Sequence, residues 1–100
     1  MVVMRNTIRN PERSRRAKSW YLYILLCAEG SYYVGITPNV LYRLKLHQSG
    51  EGPKFTRDRL PVKLVYSKKF RNKSEARKRE IQIKGWTRKK KDMLIKGILE

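Results

Sequence analysis

Five side chains in this sequence could do chemistry together: Tyr23, Tyr33, Arg43, His47 and Glu80. The two tyrosines lie in segments rich in aromatic and branched residues, Trp20-Tyr-Leu-Tyr-Ile-Leu-Leu-Cys27 and Tyr32-Tyr-Val-Gly-Ile36, separated by Ala28-Glu29-Gly30-Ser31. Such segments pair as a β-hairpin. A three-residue Ala28-Glu29-Gly30 loop, with Gly30 supplying a positive φ, sets Cys27 opposite Ser31. Tyr23 then faces Gly35 and lies diagonal to Tyr33, at the roughly 7–8 Å spacing where two phenols serve one small site. A two-residue Glu29-Gly30 turn would send the tyrosines to opposite faces, because a one-residue slip inverts a strand. Arg43 and His47 share one edge of a helix, at a spacing of one turn. Glu80 falls on the face that Ala76 and Ile83 present to a core, where a carboxylate must be paired, protonated or bound to a metal. With many Lys and Arg nearby, a structural salt bridge competes evenly with a metal role. Taken singly, each residue has an ordinary reading: a surface histidine, one arginine among many, two strand tyrosines. Only their convergence points to a site.

The elements that position these residues follow from pattern and punctuation. On the hairpin, Leu22, Ile24, Leu26, Tyr32, Val34 and Ile36 form a core face, and Tyr21, Tyr23, Leu25, Cys27, Tyr33 and Gly35 form the other. Pro38 suits a first helical turn capped by Thr37, and the helix runs to about Ser49 before Gly50 and Gly52, with Val40, Leu41 and Leu44 as its buried stripe. Residues 50–60 read as a basic, aromatic loop, and Pro61–Ser67 as a third strand. Asn72 with Glu75 forms a capping box for a helix to about Lys84. Thr87 caps a last helix whose apolar face is Leu94, Ile95, Ile98 and Leu99. The order is β-β-α-β-α-α, an α+β chain. Residues 1–18, with five Arg and one Lys against a single acid, read as a flexible basic arm, touching nucleic acid or inert, ahead of one domain at 19–100.

Composition narrows the partner. One hundred residues make one domain, and 25 Lys and Arg against 8 Asp and Glu leave a net charge of +17. Such a chain seeks polyanions, nucleic acid first, since neutralising phosphates releases counterions. Cys27 is the only cysteine, which excludes an intramolecular disulfide and a Cys-rich zinc site, and no disulfide-linked partner is expected. No apolar run spans a bilayer and no secretory signal opens the chain, so no membrane association and a cytoplasmic location are the expectation.

The segments Tyr21-Leu22-Tyr23 and Tyr33-Val34-Gly35, followed by Arg43 and His47 on one helix and Glu80 within Lys-Arg-Glu-Ile-Gln-Ile-Lys, resemble the GIY-YIG nuclease family, in particular its compact bacterial members. The resemblance runs from about Trp20 to the last helix. It implies a small three-stranded antiparallel sheet flanked by helices, and hydrolysis of DNA phosphodiesters with one divalent ion, Mg²⁺ or Mn²⁺. The family's motif tyrosines fall on Tyr23 and Tyr33, its helix arginine on Arg43, the histidine of some members on His47, and its metal-binding glutamate on Glu80. Tyr21 stands where the first motif usually has glycine, and Ile36 where some members have lysine.

Phosphodiester cleavage needs an activated water, neutralised phosphate oxygens and help for the leaving oxygen. On this reading a Mg²⁺ on Glu80 binds the phosphate and Arg43 clamps its oxygens. Tyr33, lowered in pKa by the cation and by Arg43, or else His47, takes the water's proton, and Tyr23 orients water or phosphate. Lys54, Arg57, Arg59, Arg71, Lys73, Arg77, Lys78 and the run Arg88-Lys89-Lys90-Lys91 track the nucleic-acid backbone without reading bases. Repair or recombination of DNA suits such an enzyme. The rival reading is a non-catalytic DNA- or RNA-binding accessory module on the same fold.

Overall fold

The computed structural model describes residues 19–99; the expected basic arm at 1–18 lies outside the described residues. The elements are β1 (Trp20–Leu26), β2 (Tyr32–Thr37), α1 (Val40–Gln48), α2 (Lys54–Arg57), β3 (Lys63–Phe70), α3 (Lys73–Lys84) and α4 (Arg88–Ile95). The strands form one antiparallel sheet in the order β2-β1-β3. This is the α+β, three-stranded architecture expected from the sequence, with one helix more.

The hairpin has the three-residue connection. The Cys27 amide donates to the Ser31 carbonyl at 2.8 Å, and Gly30 adopts a φ of 100°. Tyr23 therefore pairs with Gly35 and Leu25 with Tyr33, which leaves both phenols on one face. On the opposite face Leu22, Ile24, Val34, Ile83 and Leu94 form a buried cluster beneath α3 and α4. The tyrosine face is also a core: Leu25, Cys27 and Val62 are buried there beside Tyr23, with Leu44, Leu60 and Leu64 packed around them.

Several boundaries differ from the sequence expectations. Thr37 does not cap α1; its buried hydroxyl accepts the Asn39 amide at 3.1 Å, and Asn39 caps the helix by accepting from the Tyr42 amide at 3.0 Å. The face turned inward runs through Val40, Arg43, Leu44 and His47, and Leu41 is 70 % exposed. A polar partner on the sheet, not hydropathy, sets that rotation. β3 starts later than Pro61 and continues to Phe70, because Lys68 and Lys69 suit an edge strand. Its register slips between Ile24 and Leu25, so consecutive Val65 and Tyr66 both pack on the α3 side. Asn72 and Thr87 cap α3 and α4 as expected, at 2.9 and 3.2 Å from the Glu75 and Lys90 amides. Glu75 pairs its carboxylate with Arg71 at 3.2 Å. α4 closes at Gly97, φ 81°, which leaves Ile98 exposed rather than on the apolar face.

Candidate active site

The buried centre of the tyrosine face is a chain of hydrogen bonds. The Tyr23 hydroxyl lies 3.0 Å from His47 Nε2, and His47 Nδ1 lies 2.7 Å from Thr56 Oγ1. The Thr56 hydroxyl donates its only proton to the Pro53 carbonyl, at 3.1 Å. Thr56 must therefore accept from His47 Nδ1–H, and a neutral imidazole then receives the Tyr23 proton at Nε2. His47 and Thr56 are fully buried and Tyr23 nearly so. At the open end Tyr33 is half-buried and hydrogen-bonds to Tyr23, its ring 6.3 Å from that of Tyr23 and 5.1 Å from that of His47.

Two glycines make this packing possible. A Cβ on Gly35 would lie 2.6 Å from the Tyr23 hydroxyl, so the phenol crosses β2 only where a side chain is missing. A Cβ on Gly52 would come within 2.8 Å of His47 Nδ1 and 3.3 Å of its Cα. The loop after α1 thus closes directly over the imidazole. α2, a helix of one turn that begins after Pro53, delivers Thr56 to it.

Thr56 is the member of the site that the sequence reading missed. The segment 50–60 reads as an exposed loop, and the only local signal for a turn of helix is Gly52-Pro53 followed by the Lys54–Asp58 pair, which closes at 2.6 Å. Nothing in that pattern marks Thr56 as buried. His47, expected at the edge of α1's stripe, is at its centre.

Charges of opposite sign flank the open end. Burial pushes the Tyr33 phenol above its ordinary value; the Arg43 charge opposes that rise, the Glu80 carboxylate adds to it, and the hydrogen bond with Tyr23 opposes it. The expected lowering of Tyr33 by Arg43 is thus present but outweighed by burial. Glu80, on α3, is thus near enough for its charge to act on Tyr33. Glu80 itself is 6 % exposed, with Arg77 at 3.6 Å and Lys84 at 3.3 Å on its own helix. The structural salt bridge considered for it is therefore present. Among the described residues no three His, Cys, Asp or Glu side chains converge.

The remaining cations divide by environment. Arg59 pairs with Glu29 at 2.8 Å, and Lys54 and Arg71 pair with acids one turn along. Arg88 binds Asp92 and the Gly30 carbonyl and covers the Tyr32 ring. Lys73 and Lys90 lie over Trp20 and Trp86 at 5.0 and 4.4 Å. Arg57, Lys78 and Lys89 are exposed, and Lys91 is half-buried. No helix of the described residues is long and apolar enough to cross a membrane.

A three-stranded sheet with two tyrosines on one face, an arginine and a histidine on α1 and a glutamate on α3 defines a class of protein. Residues 19–93 match the GIY-YIG catalytic domain, and the chain belongs to that family. It is 51 % identical over 75 residues to a UPF0213 protein of Bacillus pumilus, covering 75 % of this chain and 76 % of that one. It is 45 % identical over 93 residues to a UPF0213 protein of Desulfotalea psychrophila, covering 92 % and 83 % of the two chains. Two solution NMR structures share the fold at 44 % identity. The UPF0213 protein BH0048 from Bacillus halodurans superposes with a TM-score of 0.52 over 78 % of this chain and 83 % of its own. Protein EF2693 from E. faecalis does so with 0.57 over 80 % and 85 %.

Proposed function

We propose that this chain is a divalent-metal-dependent endonuclease that hydrolyses DNA phosphodiesters in the cytoplasm, in repair or recombination. The observation that carries the reading is the buried chain Tyr33–Tyr23–His47–Thr56, whose one open end lies under the influence of Arg43 and Glu80. A structural core has no need of four linked polar groups, each costly to bury unless satisfied.

The chain's residues divide the work. Arg43 holds phosphate oxygens through its planar donors. Tyr33 accepts a proton from the attacking water as its own proton passes to Tyr23 and that of Tyr23 to His47 Nε2. The imidazolium so formed keeps its Nδ1–H on Thr56. His47 thus stores the proton and Tyr33 touches the water, so neither need be a strong base alone. The donor chemistry of Glu80 fits a Mg²⁺ or Mn²⁺ ion, since its Arg77 and Lys84 partners are 62 % and 54 % exposed and can turn to solvent. When bound, such an ion supplies charge neutralisation at the phosphate and the leaving oxygen. Exposed cations such as Arg57, Lys78 and Lys89 add backbone contacts that weaken with salt.

A second reading, a non-catalytic DNA- or RNA-binding accessory module, is favoured by one observation, the ion pairs that already satisfy Glu80. Cleavage of end-labelled plain, nicked, flapped and branched DNA, with Mg²⁺ or with EDTA, separates the two. The nuclease reading expects metal-dependent products that Glu80→Gln reduces by about 10²-fold or more, the scale of losing one charge-stabilising group. Binding without cutting on every substrate would select the accessory module.

A further inference from the structure

Phe55 is a large apolar side chain left 39 % exposed although its ring lies 5.9 Å from that of Tyr33. The one-turn helix α2 turns Thr56 inward to His47, and Phe55, its neighbour, outward over Tyr33. Whatever rests on Phe55 is therefore positioned by the same turn that fixes the imidazole. The Arg59 guanidinium sits 3.9 Å above the Phe55 ring centroid. Its Nε donates to Glu29 at 2.8 Å and one terminal nitrogen donates to the Phe55 carbonyl at 2.9 Å. An arginine that clamps phosphate needs its in-plane donors for the ligand, and here two of those nitrogens are engaged and a carboxylate offsets the charge. What Arg59 offers a ligand, at 34 % exposure, is its remaining N–H groups and the flat outer face of the guanidinium.

Flat guanidinium and aromatic faces are what unpaired bases stack on. We propose that Phe55 and Arg59 form a platform for one unpaired nucleobase beside the candidate active site, so that the preferred substrate is DNA with single-stranded character at the scissile position: a gap, a flap or a strand end. A base inside a duplex has both faces covered by its neighbours and cannot occupy the platform. The nuclease reading supplies the position of the phosphate over Tyr33, and the proposal rests on it for that point alone.

The test is equilibrium binding by fluorescence anisotropy, with the full chain in EDTA, to labelled oligothymidylate and to an abasic oligonucleotide of equal length. Both present the same phosphates and only the first presents bases. The expected result is about tenfold tighter binding of the base-bearing strand, within the range of one stacked base. In both Phe55→Leu, which keeps apolar cover on Tyr33, and Arg59→Lys, which keeps the charge, that ratio falls below about twofold. Circular dichroism melting checks that each variant is folded, and the half-buried Arg59→Lys change carries the test if Phe55→Leu is not. Equal binding of the two strands by the wild-type chain, or a ratio unchanged in a folded variant, overturns the platform. Cutting of DNA together with equal binding would remove the platform and keep the nuclease. A base preference lost in the variants, without cutting on any substrate, would do the reverse.

Discussion

The two faces of the sheet are built from the same three strands and differ in what fills them. Beneath α3 and α4, Leu22, Ile24, Val34, Ile83 and Leu94 pack with no polar atom among their side chains. Beneath α1 and α2, the equivalent depth holds a phenol, an imidazole and a threonine hydroxyl, with a second, half-buried phenol at the open end. Dispersion and hydrophobic burial tolerate small shifts of geometry, whereas a hydrogen-bond chain works only at set distances. One face therefore supplies stability and the other spends part of its packing on orientation.

That contrast can be broken from either side. The largest expected effect on stability lies on the apolar face. Ile24→Ala should cost about 2–5 kcal/mol by urea or thermal unfolding, the range of large core truncations, while the fraction still folded at low temperature keeps its cleavage rate. On the polar face, Thr56→Val keeps volume but leaves His47 Nδ1–H without its acceptor. A loss of about 1–3 kcal/mol is expected, together with a changed tautomer balance of His47, read by the ¹⁵N shifts of the ring. Unchanged shifts would show that Thr56 does not set the tautomer. The smallest effect is in pH. The folded Tyr33 phenol ionises above its ordinary value of 10.0, so between those two values the unfolded chain binds fewer protons and stability falls as pH rises. Below pH 10 that contribution is fully present, and Tyr33→Phe should flatten the alkaline limb of the stability curve without altering it at neutral pH.

Legibility in the sequence followed the same division. The hairpin register came from the parity of a loop, and the caps of α3 and α4 from Asn72 and Thr87; both are local rules that depend on a few neighbouring residues. The pairing of Tyr23 with Gly35 was readable because a strand's faces alternate strictly. The orientation of α1 was not, because apolar count favours Leu41 while the structure buries His47, whose partner Thr56 is nine residues away in an apparent loop. The bulge that turns both Val65 and Tyr66 to one side has no composition signal either, since each residue is at home in any strand. The helical period puts Glu80 on the buried face of α3 with Ala76 and Ile83, as the structure has it, but spacing alone does not tell its ion pairs with Arg77 and Lys84 from a metal role.

The hydrogen-bond chain ends on the backbone carbonyl of Pro53, and its inner members are shut off from solvent. A carbonyl oxygen can receive a hydrogen bond but has no proton to pass onward. At its Thr56 end the chain is thus closed to proton transfer, a reservoir and not a wire. Under the proposed reaction, a proton taken in at Tyr33 leaves again through Tyr33, and the site returns to its starting state once that proton has gone back to something bound there. Under the proposed reaction, reset and product departure become one event, coupled through a single phenol.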